Sequence, residues 1–190
     1  MQNLLVHAIC LLLATTLLGG CSSLQVQETW RSSSVTAENK FRKVLVVNIN
    51  LDENVRTMYE DIVAAEMKDS GLDAVAGHKH VTITEKYKRS DIAAAVKATG
   101  CDAVLTTREL HVGNQQISQE GQGSVLYGEG LLPSSWDLMV ASLQINLYSA
   151  VTEQLVWSAT IKTSNDDNKF ILSRDMGQLL IKLLRRDGMI

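Results

Sequence analysis

The chain has 190 residues, a formal net charge of −3 at pH 7 and 45% hydrophobic residues. That is too apolar for a disordered chain, and the lack of a basic surplus argues against a nucleic-acid binder. Its three cysteines cannot form a disulfide framework of the kind that staples small secreted domains.

The first element is a leader. An apolar run from Leu4 to Leu18 meets Gly19, Gly20 and Cys21. The run is shorter than the roughly 20 residues of a membrane-spanning helix and matches the core of a secretory signal. Small residues at Gly19 and Gly20 let an extended chain enter a peptidase groove, and Cys21 offers the thiol that accepts a diacylglycerol. Residues 1–20 thus read as a lipoprotein signal peptide, with Cys21 as the lipidation site. Several acyl chains on Cys21 anchor stably where one binds only marginally. The n-region Met1-Gln2-Asn3 departs from the usual signal in carrying no Lys or Arg. Residues 21–40 are polar and Ser-rich and are expected to form a tether. The lone cysteine of the folded part, Cys101, follows a helix-ending Gly100 and precedes an apolar run, the setting of a buried core thiol.

Residues 41–190 are expected to form a single α/β domain. Lys43–Ile49 is a continuous β-branched run, the pattern of a strand covered on both faces. Asp52 or Asn54 caps a helix through about Asp69, with Val55, Met58, Tyr59, Ile62 and Ala65 as its expected inner face. Leu72–Ala76 is a second strand, and Ser90 is the expected cap of a helix over 91–99. Asp102–Val112 is a longer strand. Two βαβ crossovers follow, hence a parallel core sheet. Residues 113–135, with five glycines and the only proline, read as a long glycine-rich loop. Trp136–Ala150 and Leu155–Thr163 read as a long antiparallel hairpin, and Asp167–Arg186 as a C-terminal helix. The fold class is therefore mixed α/β, three-layer-like, with a mixed sheet.

Motifs for chemistry are sparse. His78-Lys79-His80 places two imidazoles two residues apart without the further ligands a structural zinc needs. No Gly-x-Ser-x-Gly elbow surrounds Ser134 or Ser135. The glycines of 121–130 lead into a strand rather than the helix a phosphate cradle requires. Asp166-Asp167 with Asn165 and Asn168 lacks calcium-loop spacing and suits helix capping. Thr106, Arg108 and Glu109 are expected to face solvent beyond the core, with the lining of a groove as the alternative. No catalytic residue, cofactor or metal is assigned.

The chain resembles a family of bacterial lipoproteins of unknown activity. The likeness lies in Phe41–Val47, Gly100–Leu105, Leu147-Tyr148 with Leu155–Ser158, the terminal Leu183–Ile190, and Trp30 near the mature start. The β-turn departs from it, with Ser149 and Glu153 where Asp and Gly are common. The architecture is also similar to the amino-terminal domain of TolB and to CsgG-like envelope lipoproteins. The leader and the resemblance imply a protein held by lipid on Cys21 at the periplasmic face of the outer membrane, and the lack of a catalytic constellation leads to the expectation that it is non-enzymatic. Ser22 and Ser23 after the cysteine favour outer-membrane sorting. The expected partner is another envelope protein or further copies of the chain. The alternatives are an envelope-anchored hydrolase built from Arg108, Glu109, His111 and the 113–135 loop, and a carrier of a small apolar ligand.

Overall fold

A computed structural model describes residues 24–36, 40–50, 52–81, 88–118, 135–164 and 169–190. Strands β1 (Leu24–Arg31), β2 (Lys43–Asn48), β3 (Asp73–Ala76), β4 (Ala103–Ser118), β5 (Ser135–Ser149) and β6 (Leu155–Ser164) form one sheet in the order β1-β6-β5-β4-β2-β3. Helices α1 (Glu53–Asp69), α2 (Arg89–Thr99) and α3 (Lys169–Arg186), with a 3-10 turn at Gly77–Lys79, complete the described elements. The mixed α/β class and the two crossovers stand as expected: β2 pairs in parallel with both β3 and β4, and the other ladders are antiparallel.

The two crossovers run in opposite directions along the sheet, α1 carrying the chain from β2 to β3 and α2 carrying it from β3 back past β2 to β4. Right-handed connections then put their helices on opposite faces of the sheet. The core divides accordingly. Val44, Val46, Ala103, Leu105, Ile145, Leu147 and Trp157 pack against α1 and α3. Leu45, Val47 and Val104 pack against Ala95 of α2 on the other face. This is why β2 reads as an uninterrupted apolar run: each neighbouring residue is buried, on alternate sides.

α1 departs from the expected inner face by about one residue. Arg56, Tyr59, Glu60, Val63, Ala64 and Met67 are buried, whereas Ala65 is exposed and Val55, Met58 and Ile62 are half-buried. Two charged residues occupy the buried stripe, so a pattern of apolar residues alone points to the wrong side. Asp52 is the cap, accepting from Asn54 N at 3.0 Å and Val55 N at 3.2 Å. α1 and α3 meet closely at Gly177, where an added Cβ would lie 2.8 Å from Glu66 Cβ. Glu66 also takes Arg174 Nε at 3.0 Å and Gln178 Nε2 at 3.1 Å.

Three boundaries are corrected. Leu24–Arg31, expected within the tether, is the edge strand β1, paired with β6 from Leu24↔Thr163 to Arg31↔Trp157. Its polar composition is that of an edge exposed on most sides, and a bulge interrupts it between Val26 and Glu28. Residues 113–118 and Ser135, expected in the loop, extend the β4–β5 ladder to Ser118↔Ser135. Residues 119–134 lie outside the described residues. Finally, α2 starts at Arg89 with no side-chain cap, and Ser90 lies inside it, donating to Asp91 Oδ1 at 3.2 Å.

The β5–β6 turn explains its unusual residues. Ser149 Oγ accepts from Thr152 N at 3.3 Å, the role an Asp side chain fills at such turns. Glu153 takes a positive φ of 55° and reaches Arg89 as an ion pair. Glycine would hold this backbone more easily, and the exposed ion pair is worth little. Glu153→Gly is expected to stabilise the domain by roughly 1 kcal/mol, read as a raised midpoint in thermal unfolding. A lowered midpoint would show that the Arg89 contact outweighs the backbone strain.

Candidate functional site

α2 covers only part of its sheet face, and the remainder forms an open groove of about 640 Å³. β4 and β5 line it with Val104, Thr106, Arg108, Asn146 and Tyr148, and α2 lines it with Ile92, Ala93 and Val96. The sheet side arises from strand alternation. Residues 103, 105 and 107 of β4 turn to α1 and α3, so 104, 106 and 108 turn to the groove. Thr106 and Arg108 are therefore groove residues, the second of the two expectations, rather than residues that face solvent beyond the core.

The groove is apolar along its helix wall and cationic at its rim. Arg89, Lys97 and Arg108 stand against a single acid, Glu153, which pairs with Arg89. Arg108 Nη2 donates to Gln144 Oε1 at 2.7 Å across the β4–β5 ladder. Asn146 Oδ1 is buried without a hydrogen-bond partner. Such an arrangement holds an apolar body with a polar or anionic end.

The residues of the hydrolase alternative are not brought together. Arg108 faces the groove, and Glu109 takes the opposite face by alternation. A register shift lies between Glu109 and His111. The side chain of His111 and the 121–130 glycines lie outside the described residues, as do Cys21, Ser134, Asn165, Asp166, Asp167 and Asn168.

The crossovers leave for opposite faces at the adjacent carboxyl ends of β2 and β3, the usual ligand position of open α/β sheets. Here the chain fills it with its own carboxylate. Glu60 is fully buried, and its oxygens accept Asn48 N at 2.8 Å and His78 N at 2.5 Å. Burial pushes its pKa above the ordinary carboxylate value, against those two hydrogen bonds and the nearby His78 and Arg56. Beside it, Tyr59 Oη and Thr107 Oγ1 lie 2.9 Å apart, and burial pushes the phenol's pKa up. Gly77 completes the packing: an added Cβ would sit 2.8 Å from Val46 O.

His78 and His80 separate in function. His78 Nε2 lies 3.1 Å from Asp61 Oδ1, and Lys79 Nζ donates to the same oxygen at 2.7 Å. Burial raises the Asp61 pKa, but these two partners outweigh it and hold the carboxyl below its usual range. His80 is exposed. Among the described residues, no three His, Cys, Asp or Glu side chains converge to hold a metal. Cys101 is buried with Thr99 Oγ1 at 3.2 Å, and burial pushes its thiol up, away from the reactive thiolate.

In sequence the groove showed only as the alternative for Thr106, Arg108 and Glu109 and in the polar alternation of Ser142, Gln144 and Asn146, because its walls come from α2, β4 and β5. No described helix is long and apolar enough to cross a membrane.

No protein-family model matches the chain, and no curated protein does. Among solved structures, the PelC dodecamer from Paraburkholderia phytofirmans is similar at 13% identity over 87% of this chain and 96% of that one, with a TM-score of 0.46. Lipoprotein GNA1162 from Neisseria meningitidis is 16% identical over 76% and 98%, with a TM-score of 0.40. A minor lipoprotein from Acinetobacter baumannii is 8% identical over 75% and 91%, with a TM-score of 0.32. The structures similar to this chain thus include bacterial lipoproteins, at low sequence identity.

Proposed function

We propose that this chain is a non-enzymatic envelope lipoprotein. In this reading lipid on Cys21 anchors it at the periplasmic face of the outer membrane, and its domain, of the TolB amino-terminal and CsgG-like kind, binds a protein partner or assembles in an envelope complex. The observation that carries the reading is the leader Leu18-Gly19-Gly20-Cys21, placed three residues before an edge strand of the folded sheet. An acyl chain there serves a domain held at a membrane, and the short connection leaves little freedom to leave it.

Cys21→Ala is expected to move the protein from the membrane fraction to the soluble periplasm, measured by fractionation and by mass spectrometry of the mature amino terminus. Retention in the membrane by the variant would overturn the anchor. Crosslinking in intact cells through residues 113–135 is expected to trap a partner in the wild type; a strictly monomeric, uncrosslinked protein would overturn the partner reading.

The groove favours a second reading, a carrier of a small apolar ligand. Its volume is in the usual range of ligand sites, and its cationic rim suits an amphiphile with an anionic head. An anionic apolar dye such as anilinonaphthalene sulfonate is expected to bind with a blue-shifted emission that Ala93→Trp, placed on the helix wall, removes. Equal binding by that variant would sink the carrier reading.

A further inference from the structure

The floor of the groove changes character along its strands. Register and alternation set three cross-strand pairs on the groove side of β4 and β5: Val104↔Tyr148, Thr106↔Asn146 and Arg108↔Gln144. Successive pairs stand about 7 Å apart along the strands. The first pair is apolar, and Val104 shares one buried cluster with Ile92 and Val96 of the helix wall. The second pair is polar and uncharged. The third carries a guanidinium.

Charge follows the same order. Beyond Tyr148 the chain turns, and Glu153 of that turn pairs with Arg89, so the cation at the apolar end is offset. At the other end Arg108 donates to the neutral Gln144, at 2.7 Å. Among the described residues no carboxylate stands within ion-pair distance of Arg108. Its remaining N–H groups are free to meet an anion.

The middle pair holds hydrogen-bonding groups that the chain itself does not satisfy. Thr106 is only 8% exposed, and its hydroxyl bonds to no other described residue. Beside it, Asn146 Oδ1 is shielded from solvent without a donor. A shielded acceptor left unpaired costs free energy, and a ligand that brings a donor relieves that cost. A plain fatty chain brings none and would lay methylenes over both groups. A ligand with a hydroxyl at this level both donates to the amide oxygen and accepts from the threonine.

We propose that the groove selects a single-chain acyl amphiphile with a hydroxyl a few bonds from its anionic head. The chain lies along Val104, Tyr148 and the α2 wall, the hydroxyl meets Thr106 and Asn146, and the head meets Arg108. The proposal rests on the carrier reading and names the ligand class of that site. Two kinds of amphiphile share this chemistry. They are β-hydroxyacyl carboxylates and lysophosphatidates, whose glycerol hydroxyl stands between chain and phosphate. A guanidinium donates paired N–H bonds to either head.

The test is calorimetry on the full chain carrying Cys21→Ala, which has no acyl chain of its own. Laurate, β-hydroxylaurate and lauroyl lysophosphatidate are titrated below their micellar concentrations. β-Hydroxylaurate is expected to bind about tenfold more tightly than laurate. Equal affinities for the two acids, or no binding of any probe where the anilinonaphthalene dye still binds, overturn the proposal and leave the carrier reading standing. Failure of both dye and probes overturns the two together. This comparison needs no substitution in the groove, so it does not depend on how any groove variant folds. Asn146→Leu is expected to bring the two acids within about twofold of each other, and Arg108→Gln to weaken both about tenfold with their ratio kept. An unchanged ratio in Asn146→Leu overturns the placement of the hydroxyl. Weakening in Lys97→Gln but not in Arg108→Gln overturns the placement of the head. Tighter binding of lauroyl lysophosphatidate than of β-hydroxylaurate assigns the ligand to the phosphates, and the reverse order assigns it to the carboxylates.

Discussion

Replacing Trp157 by alanine is expected to cost about 3–5 kcal/mol of stability, enough to unfold much of a domain with ordinary reserves. Trp157 is fully buried between the sheet and α3, and its indole Nε1 donates to Asp187 Oδ2 at 2.8 Å. Truncation removes the largest fully buried side chain of the core and leaves a void that rigid strands on either side cannot close. It also strips Asp187 of one donor. Trp157→Phe keeps most of the volume and loses the hydrogen bond, so about 1–2 kcal/mol is expected. Urea denaturation of both variants checks the ranking; equal losses would show that the hydrogen bond, not the volume, dominates. Asp187 supplies a pH signature. Its carboxyl is held below the usual range first by Arg186, then by Trp157, against a counteracting desolvation. A depressed folded pKa contributes stability above the unfolded value that is lost as pH falls toward the folded value. The loss on acidification is therefore expected to shrink in Trp157→Phe.

The second large effect concerns Glu60. Glu60→Ala removes the acceptor of two buried backbone N–H groups, at Asn48 and His78. Each unpaired donor costs about 1–3 kcal/mol, partly offset by relief of a buried charge, so a net loss of about 2–4 kcal/mol is expected. The pH dependence has the opposite sign to that of Asp187. The folded pKa of Glu60 is raised from 4.5 by burial, so the folded state binds the proton more tightly than the unfolded chain. Stability from this group is greatest at and below the ordinary carboxylate value and declines as pH climbs through the folded pKa. Glu60→Gln cannot titrate. The stability difference between wild type and Glu60→Gln is therefore expected to shift in favour of the wild type on acidification toward 4.5. Comparison with this variant removes the contributions of Asp61 and Asp187, which run the other way. A difference independent of pH would show that the fold leaves the Glu60 carboxyl at its unfolded value, and a shift against the wild type on acidification would show that the fold holds it ionised.

These two residues mark where reading the chain alone succeeds and where it fails. Trp157 sits in a strand of evident alternation, and its burial follows from position. Glu60 sits on a helix face that a count of apolar residues assigns to the half-exposed side. It is buried because β2 ends beside it and the turn at Gly77 presents a second N–H. Neither donor is near it in sequence. The same limit obscured the groove, whose residues come from α2, β4, β5 and the turns beside them, spread over 105 positions from Ile49 to Glu153.

Local physics settled a good deal without the fold. The β2 run, the α3 stripe and the helix-ending glycines at 71, 100 and 188 each follow from neighbours within a few residues. Those glycines do take positive φ, at 86°, 67° and 68°. What tertiary structure alone decided is long-range pairing. β1 is a strand because β6 lies beside it, some 130 residues later, and supplies hydrogen bonds that a polar segment cannot advertise in its own composition. The β4–β5 ladder likewise extends through residues whose glycine and glutamine content favours a loop, because each strand satisfies the other's backbone. Backbone pairing is blind to side-chain identity, so sequence reveals it only where burial writes a pattern. That pairing also turned part of an expected flexible tether into a fixed strand that begins at Leu24, three residues after Cys21.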